Sequence, residues 1–242
     1  MPYETNQSLI QATAAVPPIR ATPPTLALLI YGEGTVLLKH AVQAVEGRYA
    51  LGPGVNLTSV DVQTLVDTLG GRAMVHTQAN TLATGVGQVA WWVPPGERAL
   101  HFEAKYAQTK AISVLNGVPV PCPGLVMVAG GGRLSVFAVT GSERPGPDTV
   151  LCHAPFWNMF GTGRMCQGSV KYPAAATPGT QSAWEACFFD SVFTGPSRTD
   201  RYMNWGKSYQ ELLERAQRLG QFPDEVLIAT GRTLAQTLAG GQ

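Results

Sequence analysis

Residues 124–139 read Gly124-Leu125-Val126-Met127-Val128-Ala129-Gly130-Gly131-Gly132-Arg133-Leu134-Ser135-Val136-Phe137-Ala138-Val139. Two extended apolar runs, 125–129 and 134–139, flank three glycines. Glycine adopts positive φ without a Cβ clash, so this composition predicts a β-hairpin. A second pair lies upstream, 89–93 and 99–104, joined by Pro94-Pro95-Gly96-Glu97. Consecutive strands tend to be neighbours, and the four together predict an antiparallel meander. Residues 105–123 form the irregular link between the hairpins.

Working outward, residues 1–24 are rich in Pro, Thr, Ala and Gln and carry neither helical nor strand periodicity, which predicts a mobile arm. Residues 26–31 and 36–42 flank Gly32-Glu33-Gly34 and predict a further hairpin, followed by the breaker Gly52-Pro53-Gly54. Ser59 can cap a helix whose apolar face is Val62, Leu65, Val66 and Leu69, with Gly70 as its stop. Beyond the meander, residues 141–181 form a long loop studded with Gly, Pro and Thr, and loops of that length usually carry function. Ser182 with Glu185 has the spacing of a capping box, and Trp184, Cys187, Phe188 and Val192 share one helical face. A second amphipathic helix is expected at 208–219, with Leu212, Leu213, Ala216 and Leu219 inward, and a short one at 233–238. The chain therefore reads as α+β: an arm (1–24), a hairpin-and-helix extension (25–80), a core with its loop (81–200) and a C-terminal helical segment (201–242). There are no internal repeats.

Apolar residues at 45% and charged residues at 14% describe a chain that folds around a core. A net charge of +1 without a Lys/Arg-rich block argues against nucleic acid as a ligand. No apolar run reaches the roughly 20 residues that span a bilayer, so no membrane partner is expected. The N-terminus lacks a basic region followed by an apolar one, which makes the cytoplasm the expected compartment. The four cysteines are too widely spaced for the disulfide lattice of a small secreted domain and read as free thiols.

The long loop contains Phe156-Trp157-Asn158-Met159-Phe160-Gly161-Thr162-Gly163-Arg164-Met165-Cys166-Gln167-Gly168. Cys122 between prolines, Cys152 ahead of the loop and Cys187 on an apolar helix face read as small core residues. Trp184, Phe188 and Phe189 likewise read as core. Cys166, among glycines, is the candidate nucleophile. A zinc site from Cys122, Cys152, His153, Cys166 and Cys187 is disfavoured by irregular spacing and the lack of a Cys-x-x-Cys pair. A cysteine hydrolase pairing Cys166 with His153, His101 or His76 has no local signature behind it.

His153-Ala154-Pro155-Phe156-Trp157-Asn158, Cys166-Gln167-Gly168-Ser169 and Trp184-Glu185-Ala186-Cys187-Phe188-Phe189-Asp190-Ser191 resemble prokaryotic family D of the ubiquitin-conjugating enzyme superfamily, the PRTRC system protein B family. The resemblance covers roughly residues 25–230 and is most specific over 134–193. That superfamily carries a His-Pro-Asn tripeptide, with the catalytic cysteine eight positions after the Asn and a glycine three before the cysteine. Asn158, Gly163 and Cys166 match that spacing. Phe156-Trp157 stands where His-Pro is usual, a histidine that the prokaryotic family also lacks and that elsewhere mainly holds the loop by hydrogen bonds.

The resemblance implies a ubiquitin-conjugating-like core, with Cys166 accepting a small ubiquitin-like protein as a thioester from a ThiF-like activating enzyme. A JAB-like isopeptidase in the same plasmid-borne cassette is a further implied partner. No cofactor is implied, since the activating enzyme consumes the nucleotide. A thiol exchanges thioesters without a strict triad. By the same resemblance Asn158 either donates to the oxyanion or braces the loop, and Asp148 or Asp190 takes the proton of an attacking amine. A binding adaptor that keeps this fold without its chemistry is the alternative. The terminal Gly240-Gly241 is expected to be a frayed end rather than an activated diglycine tail.

Overall fold

The computed structural model describes residues 23–32, 36–45, 47–68 and 76–240, and the chain divides into two compact units, 1–73 and 74–242. Nearly all of the expected arm at 1–24, the turn residues 33–35, the helix stop at Leu69-Gly70 and the terminal Gly241-Gln242 lie outside the described residues.

In the first unit β1 (Leu26–Tyr31), β2 (Val36–Val45) and β3 (Arg48–Asn56) form an antiparallel sheet in that order. The third strand runs straight through Gly52-Pro53-Gly54, where the sequence predicts a break. It is an edge strand, and its pairing with β2 shifts register between His40 and Val42. An edge strand with a register shift tolerates a proline that has no N–H to give. Helix α1 (Ser59–Thr68) is capped by Thr58 rather than Ser59. The Thr58 backbone N–H donates to Asp61 Oδ2 (2.7 Å), and the Asp61 N–H donates to Thr58 Oγ1 (3.3 Å). Lys39 Nζ reaches the same carboxylate at 2.6 Å, and these bonds hold the Asp61 pKa down at about 2.

In the second unit β4 (Thr81–Gly85) and β5 (Gln88–Val93) form a hairpin. Next come β6 (Gly96–Ala99), β7 (His101–Phe102), the one-turn α2 (Ala107–Lys110) and β8 (Pro119–Cys122). Then follow β9 (Gly124–Gly130), β10 (Arg133–Val139) and β11 (Val150–His153). The chain continues through α3 (Gln181–Phe189), β12 (Val192–Phe193), α4 (Tyr209–Leu219), β13 (Ala229–Thr233) and α5 (Leu234–Ala239). One large antiparallel sheet has the order β13-β11-β10-β9-β5-β4, so the fold is mixed α+β with few helices.

The expected strand at 99–104 is not in that sheet. β5 has β4 on one side and β9 on the other, leaving no open edge for it. Pro94 and Pro95 also lack the N–H groups that would continue the ladder. The chain instead leaves the sheet, β6 pairs with β8 in a separate ribbon, and β7 pairs in parallel with β12. The missing neighbour is Thr81-Leu82-Ala83-Thr84-Gly85, whose weak apolar alternation conceals a strand. Residues 201–242 are likewise not purely helical, because β13 completes the sheet beside β11.

Successive residues of a strand face opposite ways. Leu125, Met127 and Ala129 of β9 join Trp91, Leu134 and Val136 in the main core under α3 and α4. Val126, Phe137, Val139 and Leu151 form a second cluster with Leu234 at the start of α5. The sheet is covered on both faces, hence its continuous apolar runs.

Capping departs from expectation once more. The reciprocal box belongs to Thr177 and Thr180 of the 3₁₀ turn Pro178–Thr180, whereas Glu185 sits mid-helix and accepts the Trp91 indole N–H at 2.8 Å. Val192 lies beyond α3, in β12, half exposed. Helix α4 follows its pattern closely: Ser208 and Glu211 form a capping box, Gly220 ends the helix at φ 68°, and Leu212, Leu213 and Ala216 are buried. Leu219, expected inward, is 50% exposed because it stands in the last half-turn, past the core. Accordingly Leu212→Ala should cost about 2–5 kcal/mol in urea denaturation, and Leu219→Ala less than about 0.5 kcal/mol.

Candidate functional site

The site is a loop threaded between β11 and α3 and anchored from three directions. Tyr209 of α4 donates its hydroxyl to the Pro155 carbonyl at 2.7 Å. Phe156 packs edge-on against Phe188 (5.2 Å between centroids) and stacks with Phe193 (6.2 Å). Trp157 lies against Phe102 (5.6 Å) and Tyr209 (5.3 Å). Both rings are buried, so the dipeptide that replaces His-Pro is held by aromatic packing.

Asn158 is the only non-glycine with positive φ (57°) among the described residues, a conformation asparagine tolerates better than most side chains. Its backbone N–H donates to the Gly195 carbonyl at 2.8 Å. Its Nδ2 donates to the Val192 carbonyl (2.9 Å), and its Oδ1 accepts from the Thr194 N–H (3.1 Å) and hydroxyl (3.0 Å). The side chain is buried and braces the loop against β12 and the residues that follow it.

From Asn158 the chain folds back on itself. Phe160 N–H donates to the Arg164 carbonyl, Gly163 N–H to the Phe160 carbonyl, and Cys166 N–H to the Asn158 carbonyl at 2.6 Å. The eight-residue spacing between Asn158 and Cys166 is thus the span of a closed hairpin. Its returning arm lies along β10, with Val136 N–H donating to Gly163 O and Met165 N–H to Leu134 O, both 2.8 Å. Gly163 is obligatory there: φ is 85°, and an added Cβ would sit 2.4 Å from Phe137 Cε1.

Cys166 is partly exposed and borders two clefts. The larger, about 540 Å³, is lined by Cys166, Asn158, Asp190, Glu103, Ser169 and Thr194 among others and by no Lys, Arg or His. The smaller, about 370 Å³, holds Cys166, Tyr172, Arg133, Arg164 and Phe160 and no carboxylate. The fold therefore brings together Cys166, Asn158 and Asp190. Asp148 lines neither cleft: the residues on either side of it are bonded to α5, through Ala235 N–H to Pro147 O and Leu234 N–H to Thr149 O. Glu103 escapes the sequence reading because it falls inside the misassigned strand at 99–104. Tyr172 was detectable as the one tyrosine in the Gly/Pro-rich loop.

The other thiols differ. Cys122 and Cys152 are buried, and burial pushes Cys122 up to about 12 and raises Cys152. Cys187, expected in the core, is only half-buried and donates to the Lys171 carbonyl at 3.5 Å; burial, then the Asp190 charge, raises its pKa. Among the described residues no three His, Cys, Asp or Glu side chains converge as a metal site, and no helix is long and apolar enough to cross a membrane.

Beside the loop, the Arg198 side chain is 3% exposed and pairs with Asp200, lies over the Tyr202 ring, and donates from Nη1 to His153 Nδ1 at 3.1 Å. Burial and then the Arg198 charge lower the His153 pKa, with Asp200 opposing. The unfolded chain therefore takes up this proton first, as pH falls through about 6.5, and the folded state loses stability from there downward. Melting temperature should drop between pH 7 and pH 5.5, and His153→Gln should remove part of that drop. Separately, Gly163→Ala should cost at least about 2 kcal/mol in denaturant titration and speed proteolysis within 156–166.

Searches of the curated proteins and of the solved structures return no match. A family model does match, over residues 59–230, and that span takes in the sheet from β4 to β11, the closed hairpin and both clefts at Cys166. The chain belongs to prokaryotic E2 family D.

Proposed function

We propose that this chain is a ubiquitin-conjugating-like enzyme of the PRTRC type, carrying a small ubiquitin-like protein as a thioester on Cys166. The observation that supports this most is the closed hairpin. It holds a partly exposed thiol at the lip of open clefts while Asn158, at the family spacing, is locked beneath it. The four-strand run β4-β5-β9-β10 serves as the meander of a conjugating core.

In loading, the Cys166 thiolate attacks the thioester carbonyl on a ThiF-like activating enzyme. The tetrahedral intermediate collapses, expelling the activating enzyme's thiolate. Exchange of one thioester for another is nearly isoenergetic, so the protein's contribution is alignment and charge stabilisation. In discharge, an amine attacks the new thioester, its proton passes to Asp190 in the larger cleft, and the Cys166 thiolate leaves. Asp190, the C-terminal cap of α3, is exposed and close enough to the thiol to share that cleft. A JAB-like isopeptidase would reverse such a linkage.

Reconstitution with the cognate activating enzyme, ubiquitin-like protein and ATP tests this reading. The wild type should form a thiol-sensitive adduct on a non-reducing gel. Cys166→Ala should form none, and Cys166→Ser a thiol-resistant oxyester. Asp190→Asn should load normally and discharge to free lysine at least about 10-fold more slowly. A wild-type thiol that never loads while the chain still binds the ubiquitin-like protein would make it an adaptor.

A further inference from the structure

Every hydrogen-bonding atom of the Asn158 side chain is engaged in holding the loop, through Val192 and Thr194. A tetrahedral intermediate at Cys166 nevertheless places a full negative charge on the former carbonyl oxygen. In a site of this kind the donors that meet that charge are usually the largest catalytic contribution.

Two observations meet in the smaller cleft. Tyr172, six residues after Cys166, lines it with the thiol, and its ring rests on Trp184 (4.8 Å between centroids, 36°). Its hydroxyl is shielded from water and has no hydrogen-bond partner among the described residues. A buried donor without an acceptor costs stability and calls for an explanation. The same cleft carries Arg133 and Arg164, the latter with its guanidinium 5.1 Å from the Phe160 ring. The charge on the two sides of Cys166 is thus opposite: carboxylates of Glu103 and Asp190 in one cleft, guanidinium groups in the other.

We propose that the Tyr172 hydroxyl is the oxyanion donor of the thioester centre, acting from the cationic cleft, with the Arg164 charge behind it, while the acceptor amine enters from the Glu103 and Asp190 side. This rests on the reading of Cys166 as an acyl carrier. In loading the sulfur–carbon bond to Cys166 forms, and in discharge the nitrogen–carbon bond to the amine forms, as the carbonyl π pair moves onto oxygen. The Tyr172 O–H donates a hydrogen bond to that oxygen and keeps its proton. The pair then returns to re-form the carbonyl as the departing thiolate leaves and is protonated by solvent. Burial, then negative charge on the nearby Cys187 and Cys166 sulfurs, pushes the phenol up to about 12 against the opposing Arg164 charge, so it stays a donor at neutral pH.

The test needs no partner protein. Wild type, Tyr172→Phe and Arg164→Gln are treated with a short peptide ending in a glycyl mercaptoethanesulfonate thioester and, separately, with iodoacetamide. Modification of Cys166 is followed by peptide mass mapping. Thioester exchange passes through an oxyanion; alkylation by iodoacetamide displaces iodide and does not. Tyr172→Phe should slow acylation of Cys166 about 100-fold, leave alkylation within about 2-fold, and leave the melting temperature unchanged or higher, because the lost hydroxyl has no partner among the described residues. Arg164→Gln should slow acylation less and alkylation not at all. Equal acylation by wild type and Tyr172→Phe overturns the proposal. So does an equal slowing of both reagents, which would mark a change in the thiol itself, and so does a wild-type thiol acylated no faster than in the denatured chain. Loading by the activating enzyme, read separately, decides whether Cys166 is a carrier at all.

Discussion

The positive-φ asparagine at 158 is the point on which the site turns. With its N–H on Gly195 and its amide between Val192 and Thr194, it fixes where the loop reverses. Its own carbonyl then receives the Cys166 N–H. One residue thereby ties the strand after α3 to the start of the hairpin and sets the position of the thiol. Buried polar groups satisfied in this way specify a geometry more than they add stability.

Phe156 and Trp157, just ahead of Asn158, are held by aromatic packing. Their rings extend one continuous aromatic cluster through Phe102, Phe188, Phe193 and Tyr209, drawn from β7, α3, β12 and α4. The parallel pair β7–β12 brings Phe102 and Phe193 side by side in that cluster. The separation of this segment from the main sheet carries Phe102 beneath the loop and Glu103 to the rim of the cleft. A strand kept in the meander would have placed neither there.

How much of this was legible depended on whether a signal was local. The β9–β10 hairpin, the helix at 209–219 and the Asn158–Cys166 spacing are written in contiguous residues, so their patterns could be read directly. The partner of β5 could not, because pairing is decided by which edges remain open, and the plain Thr81–Gly85 segment that takes the edge opposite β9 carries little pattern of its own. Likewise Gly52-Pro53-Gly54 breaks a central strand but not an edge. Ser182 and Glu185 have capping-box spacing yet both lie inside α3, and the box is formed instead by Thr177 and Thr180 at the 3₁₀ turn that precedes it. That Asp190 shares a cleft with Cys166 while Asp148 does not needed the fold, since both lie within the matched region and only the three-dimensional path ties the neighbours of Asp148 to α5.

The returning arm of the hairpin does more than present a thiol. β11 pairs with β10 only at Phe137 and Ala138, so the outer side of Leu134–Val136 would be bare backbone without residues 163–165. Exposed strand edges recruit other chains. The loop that holds Cys166 thus also covers the stretch of β10 that β11 leaves unpaired. The same few residues both hold the partly exposed thiol and cover the backbone of β10, so a change that frees the loop releases the thiol and bares a strand edge together.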